Sequence, residues 1–220
     1  MDQEERIEQK ELEALRREYA QEELSENSVK PDPVDQFAVW FQQALSSGLL
    51  DPNAMSLATA TRDGTPSVRI VLLKGFDPEG FRFFTNYESR KGRELSENPK
   101  AALCFFWAPL ERQVRIEGTI AKLDKSESDN YFQQRPRLSQ IGAWASSQSS
   151  RIISREQLVE KFKEAEERFS EKPIPTPEFW GGYTLKPTAI EFWQGRPGRL
   201  HDRLLYLRTP KGWEISRLSP

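Results

Sequence analysis

Five short stretches of the chain gather side chains able to hold a phosphate or a polar ring. Arg69-Ile70-Val71-Leu72-Leu73-Lys74 puts two cations five residues apart, and a regular strand sends such a pair to opposite faces, toward different ligand groups. Ser89-Arg90-Lys91 lies where a helix is expected to begin, so two cations, a hydroxyl and free backbone N–H groups can converge on an anion. Taken alone, the same run is also a solvated basic helix start. In Tyr131-Phe132-Gln133-Gln134-Arg135-Pro136-Arg137-Leu138-Ser139, the residues Tyr131, Arg135 and Ser139 recur every four positions. They share a face if helical, although Pro136 interrupts that continuity.

The fourth stretch, Trp144-Ala145-Ser146-Ser147-Gln148-Ser149-Ser150-Arg151, is a polar loop of hydroxyls and an amide, a composition that most often supplies turns and caps. The fifth is the most specific: Ile190-Glu191-Phe192-Trp193-Gln194-Gly195, then after three residues Arg199-Leu200-His201-Asp202-Arg203, with the single histidine of the chain. Without a Ser or Cys nucleophile motif, one histidine supports no triad. Arg199 and Arg203 on either side favour its neutral form. One His and one Cys far apart in sequence do not complete a transition-metal shell, so redox work would fall to an organic cofactor.

Composition narrows the partners. Lys and Arg (32) nearly balance Asp and Glu (34), so no overall field attracts nucleic acid or an anionic membrane, and any anion site must be local. Cys104, alone in Leu103-Cys104-Phe105-Phe106, allows no intrachain disulfide and is expected in the core. Met1-Asp2-Gln3-Glu4-Glu5-Arg6 lacks the apolar stretch of a signal peptide, and no run approaches the roughly 18 apolar residues of a membrane span. The expectation is a cytoplasmic protein with neither nucleic-acid nor membrane partners.

The elements that must position these groups follow from the pattern. Residues 1 to about 24, with Leu12, Leu15 and Tyr19 spaced three to four apart, predict a helix with a thin apolar stripe. It forms a separable N-terminal arm or lid over 1–28, ahead of a single domain over 29–220. Asp32 and Pro33, then Phe37, Trp40, Phe41 and Leu45 before Gly48, predict a capped helix packed on a core. From Ala54 the turn signals Arg62-Asp63-Gly64-Thr65 and Asp77-Pro78-Glu79-Gly80 divide an antiparallel meander into strands at 54–61, 66–74 and 80–85. A short helix over 89–98 stops at Pro99, and strands follow at 101–107 and 112–123. Helices are predicted at 127–134, 138–145 and 155–169, the last opened by the capping-box pattern Ser154-Arg155-Glu156-Gln157. Strands at 181–186, 188–193, 202–208 and 212–217 complete a mainly β chain with peripheral helices, an antiparallel closed or split barrel.

In this order, the five blocks resemble the pyridoxamine 5'-phosphate oxidase family from about residue 12 to the C-terminus. The Glu191–Gly195 and Arg199–Arg203 blocks are close to a family signature. The resemblance implies an FMN-binding split β-barrel, with FMN at the interface of a homodimer whose sites draw on both subunits. It implies that Arg69, Arg90 and Lys91 hold the FMN phosphate. Ile70, Val71, Leu72, Leu73, Lys74, Phe84, Thr85, Gln113, Gln148, Ser149, Trp193 and Arg203 would surround the rest of the cofactor. Lys74, Tyr131, Arg135 and Ser139 would take a substrate phosphate, and Arg199 and His201, as the catalytic pair, would lie against the substrate ring. Arg16 and Tyr19 would close over it. Phe84 departs from the pattern, because tyrosine is the family alternative in Phe83-Phe84-Thr85-Asn86, and a hydroxyl near FMN is lost.

The activity implied is oxidation of phosphorylated B6 vitamers to pyridoxal 5'-phosphate, with oxygen as acceptor. Other readings stay open at this point. They are a different split-barrel flavin reductase, a non-catalytic carrier of FMN or pyridoxal phosphate, and a ligand-free structural barrel. The Arg199–Arg203 block weighs against the reductase.

Overall fold

The computed structural model describes Tyr19 and residues 22–220. Arg16 and nearly all of the helix expected over 1–24 lie outside the described residues, and 22–24, at its end, is not helical. Helix α1 (Pro33–Ser46) begins where Asp32 Oδ1 accepts the Val34 N–H at 2.7 Å, with proline in its first turn. It buries Phe37, Trp40 and Ala44. Leu45, expected on the same face, is half exposed, because Ala44 takes the inward position at that turn. Gly48, at φ 76°, ends the element.

Nine strands form one antiparallel sheet in the order β2-β1-β5-β6-β7-β4-β3, with β8 and β9 branching from β7. They are β1 (Ala54–Ala60), β2 (Pro66–Leu72), β3 (Gly75–Asp77), β4 (Gly80–Asn86), β5 (Lys100–Trp107), β6 (Arg112–Lys122), β7 (Trp180–Gln194), β8 (Asp202–Thr209) and β9 (Gly212–Arg217). The split is built into β7. Its first half pairs with β4 and its second with β8, while β6 runs alongside both halves. Two strands were expected there, at 181–186 and 188–193. The structure has one strand, interrupted by a register shift between Glu117 and Gly118 opposite Pro187 and Ala189. Proline cannot donate to the ladder, and a bulge absorbs the extra residue, so the strand bends instead of ending. Gly118 is needed at that bend, since a Cβ there would stand 2.1 Å from the Lys186 carbonyl oxygen.

A second correction falls on 66–74. Strand β2 ends at Leu72, Leu73 turns into the core, and Lys74 N–H donates to the Arg82 carbonyl at 2.9 Å. The next residues form the short strand β3, which sequence patterning merged into a turn. Cys104 is also misplaced by that reading. Strand β5 alternates, so Leu103, Phe105 and Trp107 face inward while Cys104 is half-buried and Phe106 exposed on the outer face. The remaining helices are α2 (Arg90–Glu97), α3 (Lys125–Gln134), α4 (Arg137–Ala145) and α5 (Arg155–Arg168). At the start of α5, Ser154 Oγ accepts the Gln157 N–H, but the Gln157 side chain reaches back to Ile153 N–H, one residue earlier than a standard capping box.

Two apolar cores result. The larger fills the barrel with residues such as Met55, Leu57, Phe83, Phe105, Ile116 and Phe192, covered by α1. Phe37 of α1 sits at its centre, fully buried, within ring contact of Phe41, Phe76, Phe81 and Phe105. Its truncation to alanine costs about 3–5 kcal/mol. The smaller core joins α3, α4 and α5 to the start of β7 through Phe132, Ile141, Ala165, Phe169 and Trp180. This second core holds the helices beside the mouth between β2 and β4. No helix among the described residues is long and apolar enough to cross a membrane.

Candidate active site

Between β2, the end of β4, the start of α2 and the α3–α4 corner lies a cavity of about 950 Å³. It brings together most of the residues singled out from sequence: Arg69, Ile70, Val71, Leu72, Lys74, Phe84, Thr85, Arg90, Lys91, Tyr131, Arg135, Ser139, Gln148 and Ser149. Leu73 does not line it, being buried in the barrel core. Arg69 and Lys74, expected on opposite strand faces, border the same cavity, because β2 stops between them.

One corner of this cavity is a cationic cradle. Lys91 is buried, and its Nζ donates to Gln148 Oε1 at 2.9 Å and Thr85 Oγ1 at 3.1 Å. Burial, then the neighbouring Arg69 charge, pulls the Lys91 ammonium down from 10.5 to about 8. Arg69 donates to the Leu57 carbonyl at 3.0 Å and to the Thr59 and Ser67 hydroxyls, and lies 3.4 Å from Glu94 Oε2. Arg90 Nε meets Glu94 Oε1 at 2.8 Å. Glu94 is 4% exposed and was not singled out from sequence. Burial opposes its ionisation, but hydrogen bonds from Ser67, Thr59 and Arg90 outweigh that cost and hold the carboxyl at about 2. Its spacing of four from Arg90 on α2 was the available signal.

Another part of the lining is aromatic and cationic. Phe84, Tyr131 and Trp180 are nearly parallel, with Phe84 and Tyr131 ring centres 3.9 Å apart. The Arg135 guanidinium lies 4.8 Å over Trp180, and its Nη1 is buried with no hydrogen-bond partner among the described residues. A buried guanidinium N–H left unpaired is costly, so this atom fits an anionic ligand in the cavity. Ser149, at φ 70°, is one of three non-glycine residues with positive φ among the described residues, a strained conformation that clusters at ligand sites.

Gln113, Trp193, Arg199, His201, Arg203 and Tyr19 do not line this cavity. Gln113 and Trp193 are register partners on β6 and β7. His201 packs against Trp193 and edge-on to Tyr19, with ring centres 4.6 and 5.4 Å away. Its Nδ1 accepts the Arg196 N–H at 3.1 Å. An amide N–H only donates, so the neutral ring carries its proton on Nε2. Burial and the Arg199 charge lower the His201 pKa further. Arg199 is exposed and has φ 65°. Arg203 forks onto the buried Glu191 at 3.0 and 3.1 Å and borders a smaller cavity of about 270 Å³ with Arg115 and Glu117. No cluster of three or more His, Cys, Asp or Glu among the described residues could hold a metal ion.

A family model described as pyridoxamine 5'-phosphate oxidase matches residues 41–169, and one for the pyridoxine 5'-phosphate oxidase C-terminal dimerisation region matches 180–220. The chain belongs to the pyridoxamine 5'-phosphate oxidase family. The pyridoxine/pyridoxamine 5'-phosphate oxidase of Rubrobacter xylanophilus is 57% identical over 211 residues, covering 96% of this chain and 97% of that protein. The protein of the same description from Burkholderia thailandensis is 58% identical over 209 residues, covering 94% and 97%. Among solved structures, PhzG from Burkholderia lata, in complex with tetrahydrophenazine-1-carboxylic acid, is 32% identical, with a TM-score of 0.86 over 91% of this chain and 99% of that one. A pyridoxamine 5'-phosphate oxidase-related, FMN binding protein from Nostoc punctiforme, at 20% identity and TM-score 0.67 over 84% and 97%, shares the split-barrel fold. The two family matches divide the candidate residues. Every cavity residue except Trp180 falls within 41–169, whereas Trp193, Arg199, His201 and Arg203 fall within the dimerisation region.

Proposed function

We propose that this family member oxidises pyridoxamine 5'-phosphate and pyridoxine 5'-phosphate to pyridoxal 5'-phosphate, using FMN, as a cytoplasmic homodimer in vitamin B6 metabolism. The observation that carries this reading is one cavity lined by five cations, Arg69, Lys74, Arg90, Lys91 and Arg135, of which Arg69, Arg90 and Lys91 lie close together around Glu94 and Thr85. Cofactor and substrate each bring a phosphate, and five cations lining one cavity suit two such groups. The relatives at 57–58% identity bear the name of this activity.

Bound in the cavity, FMN supplies the two-electron acceptor for a hydride from the substrate's 4'-carbon. The chain's own residues bind and orient. Lys91, with Arg69 and Arg90, neutralises the cofactor phosphate, while Gln148, Thr85 and Ser149 offer polar contacts beyond it. Lys74, Tyr131, Ser139 and the unpaired Arg135 N–H hold the substrate phosphate. Arg199 and His201 of the partner subunit complete the site from across the dimer, with Trp193, Gln113 and Arg203. His201, with its proton on Nε2, donates a hydrogen bond to the substrate ring's polar substituent and is not a base through Nδ1. Holding the reacting carbon in place is the main catalytic contribution. Tyr19, already against His201, closes the ring pocket, and Arg16 belongs to the same segment.

Overall, the amine with oxygen and water gives aldehyde, ammonia and hydrogen peroxide, and the alcohol with oxygen gives aldehyde and hydrogen peroxide. The test mixes FMN-loaded protein with pyridoxamine 5'-phosphate in air and follows oxygen uptake and aldehyde together. Matched consumption and product are expected; yellow protein that never consumes oxygen would instead make it a carrier.

A further inference from the structure

We propose that Glu94 is the positioning residue of the phosphate cradle, its buried carboxylate fixing the Arg69 and Arg90 guanidinium groups toward the cavity. Glu94 Oε1 accepts from Arg90 Nε at 2.8 Å, and Oε2 accepts from the Ser67 hydroxyl at 2.6 Å and from that of Thr59. Each hydroxyl in turn accepts from Arg69. Arg69 is therefore held through a relay in which Thr59 and Ser67, register partners across β1 and β2, take a hydrogen bond from the guanidinium and pass one to the carboxylate. Arg90, whose side chain is 56% exposed, has Glu94 as its hydrogen-bond partner among the described residues. Without that anchor the Arg90 side chain samples solvent, and ordering it on ligand binding costs affinity.

A carboxylate beside a phosphate pocket also has an opposing effect, since its charge repels the ligand. Geometry decides the sign. All of the carboxylate's hydrogen bonds are spent on the two arginines and the two hydroxyls, so its charge is compensated locally. The Arg69 Nη groups are spent on Leu57, Thr59, Ser67 and Glu94, and Arg69 offers a fixed positive charge, while the Arg90 Nη groups remain as donors at the cavity both residues line. The inference rests on the reading of this corner as the FMN phosphate site.

The test titrates cofactor-free protein with FMN and, separately, with riboflavin, which lacks the phosphate, reading the quenching of flavin fluorescence. Wild-type protein is expected to favour FMN by more than ~10-fold. Glu94→Ala is expected to lose about tenfold in FMN affinity with riboflavin affinity unchanged. Glu94→Gln, which keeps an acceptor oxygen and drops the charge, recovers most of the loss. Should the alanine variant fail to fold, Glu94→Met, close in volume and without an oxygen, carries the same comparison. An alanine variant that binds FMN as tightly as wild type, or tighter, overturns the proposal, as does an equal fall for both flavins, which marks a purely structural role. Wild-type protein that does not distinguish the two flavins overturns the underlying site reading instead.

Discussion

The cradle around Arg69, Arg90 and Lys91 and the cluster around Trp193 and His201 differ in how far one chain completes them. The cradle is finished: Lys91 and Glu94 are buried, and their partners come from β1, β2, α2 and the loop after α4. The second cluster stands apart from any large cavity, with Arg199 exposed in a strained conformation and His201 oriented by a backbone amide. If the cavity is the proposed phosphate pocket and Arg199 and His201 the proposed catalytic pair, a second copy of the chain must bring the two together. The same contrast predicts that the two regions fail differently when altered.

The largest effect is expected at the exposed cluster. Arg199→Ala should lower kcat about 100-fold, with FMN retained at wild-type stoichiometry; an unchanged steady-state rate removes Arg199 from the reacting centre. In the cavity, Arg135→Ala should act on binding, raising KM for the phosphorylated substrate by roughly ten- to a hundredfold, the equivalent of ~1.5–3 kcal/mol for a hydrogen bond to a charged group. A KM unchanged by that substitution would leave the unpaired Nη1 without its ligand. The smallest effect is one of pH. Lys91 titrates near 8 in the cofactor-free protein against 10.5 for a free lysine. Above pH 8 the folded protein has lost this proton while the unfolded chain keeps it, so the group adds stability as pH rises toward 10.5. A phosphate needs the ammonium form, so FMN affinity should fall over the same range while the cofactor-free protein grows more heat-resistant. Lys91→Met should flatten both trends in parallel melting and fluorescence titrations.

Much of the fold was legible because turn chemistry and alternation are local. Asp32 and Pro33 start α1 as expected, and Gly64, Gly80 and Gly212 adopt the positive φ that the turns require. The failures are tertiary. Whether Pro187 ends a strand or sits in a bulge depends on β6 beside it, and whether Cys104 faces inward depends on the phase set by Leu103 and Phe105. The same limit applied at the site. The Arg, Lys and Tyr blocks were visible as residue types, but the meeting of Arg69 and Lys74 on one cavity followed from β2 ending early. Glu94 was hidden because a glutamate on a short charged helix looks solvated, and its burial comes from Thr59 and Ser67 on strands distant in sequence.

The proposed sharing of the site between subunits is tested most directly by mixing them. Arg199→Ala is altered only in the exposed cluster, and Lys74→Ala/Arg135→Ala only in the cavity, and each alone should be nearly inactive at low substrate. Co-refolding equal amounts gives mixed dimers in which one site carries all the substitutions and the other none, so activity should recover to roughly a quarter of wild type. Activity no greater than the sum of the two parents would mean that each chain builds its site alone, and would contradict the account.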